Sequence, residues 1–444
     1  MDDAFITFRY AENLVNGHGL VFNSGGQPVE GYSNFLWLLL LSLLYKIGLP
    51  TLLSAKVVGL VSFLCAGLLW YKHYEHDENQ YLWLAGPLFI LSPITVYWGL
   101  SGLELGLHAL LFSLLYLHIK KQSPIAFLII PLFILSRPEA IALALLMFVL
   151  FFWFQRKEEK FNGKFYYISF AIAITLIAAL TIFRMSYFGY PLPNTFYAKS
   201  HHNLIDGYLE LWKMLLYYLP FTLGLIIFLI NTIKNKFARY DLFIIALVFL
   251  AQALISASVD PVQNYFFRYM SPFLILIIIT LLVVIDKLSK PFVYVSISLG
   301  VLALLLPSKR MYDNMVEGNL ILDSQMKTVA MIKEHVDPKA KISISDMGRI
   351  PYYTDNFYYD IFGLMSQEIG HDGFITAREL QRFPEYFIFV GYVENNQIKL
   401  RFWREQNIGY TDIFKQRYKL VFTAVPDGYK ITDYGYYYLV FERI

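Results

Sequence analysis

Eleven apolar segments run through the first two-thirds of this 444-residue chain, near 34–47, 53–71, 81–98, 102–119, 124–136, 138–154, 165–184, 215–233, 241–257, 267–285 and 291–306. Backbone inside a bilayer has no water to bond, so segments of this kind cross as helices. Most approach the ~20 residues that cover ~30 Å of hydrocarbon. Two are shorter: 34–47 and 124–136 would reach only about 20 Å at 1.5 Å per residue. Composition agrees. Counted with Gly and without Tyr, apolar residues make up about 55% of the chain, against roughly 45–50% in soluble domains. Charged residues are 16%, where about 25% is usual. The expected fold is a polytopic α-helical membrane protein of about 10–11 apolar helices.

Other classes fall away quickly. A net charge of +3 is too small to imply a nucleic-acid partner. Cys65 is the only cysteine, so neither a disulfide nor a zinc ribbon can form within the chain. The N-terminus lacks a charged stretch followed by an apolar one, so it does not read as a signal peptide.

Lys and Arg concentrate in cytoplasmic loops of membrane proteins. Arg156, Lys157, Lys160 and Lys164 fill one short loop, Lys234, Lys236 and Arg239 another, and Lys287 and Lys290 a third. An even number of spans separates each from the next. All three can therefore be cytoplasmic, which puts 185–214, 258–266 and everything after 307 outside. If every segment crosses, residues 1–33 fall inside. If the short 34–47 segment is re-entrant or interfacial, they lie outside, and its length favours that reading. From Ser308 the chain turns to frequent charge and alternation, as in a soluble α/β domain. Strands are expected at 341–345, 385–391, 418–425 and 436–443, and a helix at 325–335. Three units result: an extracytoplasmic first loop (1–33), a multi-spanning domain (34–307) and an extracytoplasmic α/β domain (308–444).

Asp2 and Asp3 open the first loop, ahead of a short helix expected around Phe5–Asn16. Adjacent carboxylates beside a membrane suit acid–base chemistry or metal binding. Acidic residues also cap helices through free N–H groups. The company of the pair decides between these. It sits in Asp2-Asp3-Ala4-Phe5-Ile6-Thr7-Phe8-Arg9-Tyr10-Ala11, ahead of Asn16-Gly17-His18-Gly19-Leu20-Val21-Phe22-Asn23 and Glu30-Gly31-Tyr32-Ser33-Asn34-Phe35-Leu36-Trp37.

At these residues the sequence resembles the GT-C glycosyltransferases, nearest the bacterial branch that includes terminal arabinofuranosyltransferases. Similar blocks follow in order at Ser101–Glu104, Arg137-Pro138-Glu139, Pro191–Lys199, Phe267–Pro272, Ser345–Gly348 and Tyr359–Leu364. The resemblance implies a multi-pass enzyme of the cytoplasmic membrane that takes a sugar from a polyprenyl phosphate on the extracytoplasmic face. The acceptor would be a glycan, lipid or protein. Members carry a transmembrane helix before the Asp pair, whereas Met1 precedes it here, so a late-placed start or a fragment is expected.

A sugar on phosphate already has its leaving group. The enzyme needs a base for the acceptor hydroxyl and cations for the phosphate. By resemblance Asp2 or Asp3 is the base; the pair could instead hold a divalent cation (Mg²⁺, Mn²⁺ or Ca²⁺), since oxygen ligands suit these ions. Arg268 lies where an outer loop meets an apolar segment, which suits a lipid phosphate, though an arginine there can also snorkel to the headgroups. Arg137, beside Glu139, interrupts an apolar stretch and is a site residue or half of an ion pair. Lys199, Asn194, Glu30 and His18 are further candidates for contacts with phosphate or sugar. His201-His202 has no acidic ligand at helical spacing and is not expected to bind metal. Asp372-Gly373 reads as a turn, and Asp346 and Asp360 as residues that end strands. Two rival readings remain: a transporter or lipid-glycan flippase, and an inactive truncated scaffold.

Overall fold

A computed structural model describes residues 1–156, 158–199, 204–235, 239–259, 264–395, 397–430 and 435–444. Lys157, Lys236 and the His201-His202 pair lie outside the described residues. Each of the eleven apolar segments is helical. Among the described residues, five helices are long and apolar enough to cross a membrane: Thr51–Tyr74, Gly163–Tyr187, Tyr240–Ala257, Tyr265–Ile285 and the run Lys290–His335. Two bent pairs bring the total to seven if each counts as one span. Shorter apolar helices at Phe35–Lys46, Leu105–Lys120, Ala126–Ser136 and Ala140–Gln155 complete the set. Large apolar side chains such as Leu43, Leu53, Leu128, Ile174 and Ile182 point outward from this bundle. So much exposed apolar surface is a liability in water and ordinary against lipid. The protein is a polytopic α-helical membrane protein with a C-terminal α/β domain.

Three details depart from the pattern read in the sequence. The 81–98 segment is not one rod but bends by 53° between Leu82–Leu91 and Pro93–Gly99. Pro93 cannot donate to the helical ladder and forces Ser92 into an extended conformation, with ψ of 128°. The stretch read as the second half of an outer loop is helical at Leu204–Tyr217 and meets Leu219–Lys234 at 94°, with Pro220 in the first turn after the bend. Ile205, Tyr208, Leu209, Trp212 and Leu216 form an exposed stripe along it at helical spacing, the mark of a helix lying against a membrane surface. Finally, the helix expected at 325–335 is the end of a longer one, Ser308–His335, which follows Lys290–Leu305 almost without interruption.

The C-terminal domain is built on a six-stranded sheet: β1 (Lys341–Ile344), β2 (Phe357–Asp360), β3 (Tyr386–Glu394), β4 (Gln397–Leu400), β5 (Tyr418–Ala424) and β6 (Tyr437–Arg443). The order is β2-β1-β3-β6-β5, with β4 paired to the far end of β3. β1 runs parallel to β2 and β3, whereas β6 is antiparallel to β3 and β5. The central strand is buried continuously from Phe387 to Gly391, as expected for a strand covered on both faces. β2 and β4 were not read from sequence, because four residues are too few to show alternation. Asp360 does end β2, and Asp346 lies just past β1.

The first loop is stitched to this domain. The Ala4–Val15 helix buries Phe5, Phe8, Tyr10 and Ala11. The Arg9 guanidinium donates to the carbonyls of Phe22, Thr354 and Asn356 at 2.8, 3.0 and 3.2 Å. Asn23 donates to the Tyr358 carbonyl at 2.8 Å and accepts from its N–H at 3.0 Å. Residues some 340 apart in the chain thus form one wall.

Candidate active site

Asp2 and Asp3 stand at the start of the Ala4–Val15 helix, but neither caps it through its side chain. Their backbone carbonyls accept from Phe5 and Ile6 at 3.0 and 3.3 Å, and Asp3 makes no side-chain capping bond. The two carboxylates instead turn toward different parts of the molecule.

Asp3 faces the helical half. Its Oδ2 accepts from Nη1 of Arg268 at 3.1 Å, and about half of its side-chain surface (51%) stays accessible. It therefore lies in an open crevice walled by protein. Burial works against its charge, yet Arg268 first and Lys199 second outweigh that and hold the carboxyl below its usual range. Arg268 itself is buried, 8% exposed, and its Nε has no partner among the described residues. It sits on the 3₁₀ segment Tyr265–Phe273, directly after Phe266 and Phe267, whose φ values of 47° and 55° are left-handed. Two such residues in a row cost roughly 1–2 kcal/mol each. Trp98 offsets part of this by donating from Nε1 to the Phe266 carbonyl at 3.1 Å. Strain held in place by surrounding contacts is typical of residues that must point one way.

Arg137 shares the Tyr269 ring with this cluster, its guanidinium 4.7 Å from the ring centre and that of Arg268 5.7 Å. Its charge is answered by Glu104 and by Glu139, the latter at 2.5 Å. Glu104 also accepts from Asn34 at 2.8 Å, and Asn34 from Thr7 at 3.2 Å. Arg137 is thus flanked by two carboxylates, whereas among the described residues the one carboxylate bonded to Arg268 is Asp3.

Asp2 faces the sheet domain. Its Oδ1 accepts from Gln325 Nε2 and from the Arg349 N–H, both at 2.9 Å. Burial raises its affinity for a proton, and the Arg349 N–H and guanidinium counter only part of that. Gly348 makes the approach possible. A Cβ there would lie 2.1 Å from Oδ2 of Asp2 and 2.4 Å from its backbone oxygen.

Glu30 and Asn194 brace the surrounding frame. Glu30 forms a two-pronged ion pair with Arg184 at 2.9–3.1 Å. Asn194 donates to the carbonyls of Gly363 and Leu364 at 2.8 Å, and its own N–H donates to the Glu30 carbonyl at 3.1 Å. Lys199 ends the short helix that Asn194 begins. His18 bonds to Ser24 at 3.0 Å on an exposed turn. Gln325, Gly348, Arg349 and Tyr438 were not singled out individually from sequence. The Ser345–Gly348 block was the one signal that pointed near them.

On the Asp pair, Oδ1 of Asp2 is taken by two N–H donors and Oδ2 of Asp3 by the Arg268 guanidinium, so a divalent cation would meet the other oxygen of each carboxylate. Among the described residues no three carboxylate, imidazole or thiolate groups converge to hold one.

Fold and site together define a multi-pass membrane protein with a charged crevice between its helical bundle and its C-terminal domain. Residues 316–441 match a family described as a domain of unknown function, DUF8728. The chain is also similar to the terminal beta-(1->2)-arabinofuranosyltransferase of Corynebacterium glutamicum, 28% identical over 246 residues that cover 46% of this chain. The match spans about a third (34%) of that relative's length. This likeness supports a distant relationship to GT-C-type membrane glycosyltransferases.

Proposed function

We propose that this protein is a membrane glycosyltransferase that moves one sugar from a polyprenyl-phosphate donor to an extracytoplasmic glycan, lipid or protein, with inversion. The observation that carries the reading is the open Asp3 carboxylate beside a buried Arg268 whose Nε has no partner among the described residues. Asp3 takes the proton from the acceptor hydroxyl, whose oxygen attacks the anomeric carbon. The bond from that carbon to the phosphate oxygen breaks, and polyprenyl phosphate leaves with the electron pair. Arg268, with Lys199, meets the charge that grows on the phosphate.

The test is transfer from polyprenyl-phosphate sugars by the full-length protein reconstituted in membranes, read by mass spectrometry of the products. Asp3→Asn is expected to lower turnover by about 10²–10⁴-fold, the usual worth of a general base. Undiminished turnover would remove Asp3 from this role. Bent helices also occur in transporters, so the same vesicles are assayed for donor flipping; flipping without transfer would favour that rival.

A further inference from the structure

Behind Asp2 a line of hydrogen bonds leads into the C-terminal domain. Gln325 Nε2 donates to Asp2 Oδ1 at 2.9 Å and to the Tyr438 hydroxyl at 3.0 Å. That hydroxyl donates in turn to Oδ2 of Asp346 at 2.6 Å, and Tyr436 donates to the same oxygen at 2.7 Å. The Arg349 side chain closes the line by bonding to Oε1 of Gln325. Every orientation is thereby set. Gln325 can present its NH₂ to Asp2 because its oxygen is held by Arg349, and Tyr438 accepts from Gln325 because its proton is committed to Asp346. Gln325 and Tyr438 are buried, 1% and 0% exposed, so water is a poor substitute for any lost partner. None of this serves the sheet, whose ladder is complete without it.

We infer that Asp346, acting through Tyr438 and Gln325, is a positioning residue for Asp2 and hence for the adjoining Asp3, so that the DUF8728 domain completes the site rather than merely covering it. The inference rests on the reading of Asp3 as base but concerns a different part of the molecule. The electrostatics agree: burial, and then the charge of Asp2, raise the Asp346 carboxyl to about 6.

The experiment uses the full-length protein in nanodiscs and compares Tyr438→Phe, Asp346→Asn and Tyr436→Phe with the parent. Tyr438→Phe keeps the ring and removes the link. It and Asp346→Asn are expected to lower kcat by about 10- to 100-fold with donor KM within about two-fold, the signature of misplaced reacting groups. Tyr436→Phe removes a hydroxyl that touches Asp346 but not Gln325, and kcat should fall by less than about three-fold. Hydrogen exchange over residues 2–9 gives a readout free of activity: it should quicken in the first two variants and not in the third. Should Asp346→Asn fail to fold, the near-isosteric Tyr438→Phe carries the test. Parent-like kcat and exchange in Tyr438→Phe would overturn the inference, as would an equal loss in Tyr436→Phe. If no protein transfers sugar yet exchange responds as described, the positioning stands and the proposed reaction fails.

Discussion

Asp2 and Asp3 are neighbours in the chain, yet the two regions that receive them treat a carboxylate in opposite ways. The helical half meets Asp3 with charge: a guanidinium at 3.1 Å and, further off, an ammonium. The sheet domain meets Asp2 with a backbone N–H and an amide NH₂, with the Arg349 charge as a weaker influence. The result is one acid held ionised and accessible and another pushed toward its protonated form by burial. Pairs of carboxylates whose surroundings drive them apart divide their labour. The comparison teaches that the helical half supplies the electrostatics and the sheet domain the placement.

The comparison breaks most directly at the pair itself. Against the loss of about 10²–10⁴-fold expected for Asp3→Asn, Asp2→Asn should cost only about 10-fold. An asparagine there keeps an oxygen for Gln325 and the Arg349 N–H, and an ordinary bond is worth about 1 kcal/mol. Equal losses in the two variants, measured as kcat, would dissolve the division.

Next in size is Arg268. Arg268→Gln should reduce kcat/KM for the donor by about 100-fold, since bonds to charged groups are worth roughly 1.5–3 kcal/mol. Arg268→Lys should recover only part of that, because an ammonium is a point charge without the planar fork. Arg137→Gln sharpens the point: it would leave Glu104 and Glu139 uncompensated, so the loss should appear mainly as a lower thermal midpoint. On the sheet side, Gly348→Ala forces a Cβ against the Asp2 carboxylate and backbone. A fall in kcat of about 10-fold with unchanged donor KM is expected.

Some of this was legible from residue order alone. The eleven helices follow from runs of apolar residues, and β3 from Phe387-Ile388-Phe389-Val390. The convergence of Asp3, Lys199 and Arg268 was within reach because the resemblance sets all three on the outer face, in the first loop, the 185–214 loop and the start of the 267–285 segment. The bend at Ser92 was missed because hydropathy runs unbroken through it, although Pro93 marks the place. The Asp2 side could not be read. Gln325 is one polar residue on a long mixed helix, and Tyr438 one of 34 tyrosines; only the pairing of β6 with β3 and the packing of the Ser308–His335 helix bring them to Asp2. Asp346 looked like a strand end because it follows one, and its partners lie some 90 residues further on.

The smallest effect concerns the sheet domain alone and asks whether its acids are as differently treated as Asp2 suggests. Glu405 is fully buried, accepting from Ser345 at 2.6 Å and from the Val390 N–H at 3.0 Å. Burial pushes it up to about 8, and Glu379, also buried, to about 7. A carboxyl whose folded value is raised binds its proton more tightly in the native state than when unfolded. The stability it contributes is therefore fully present below the unfolded value, roughly 4.3, and is lost as pH rises through the folded value. The thermal midpoint of the domain transition should accordingly fall from about pH 5 to about 8 and level off above that. Glu405→Gln, which substitutes a neutral amide for the protonated acid, should flatten that fall. Asp3→Asn should leave it untouched, because Asp3 is already ionised across the range. A midpoint that rises over the same interval, or a slope indifferent to Glu405, would mean that the sheet domain handles its carboxylates as the helical half does, and the contrast would shrink to Asp2 alone.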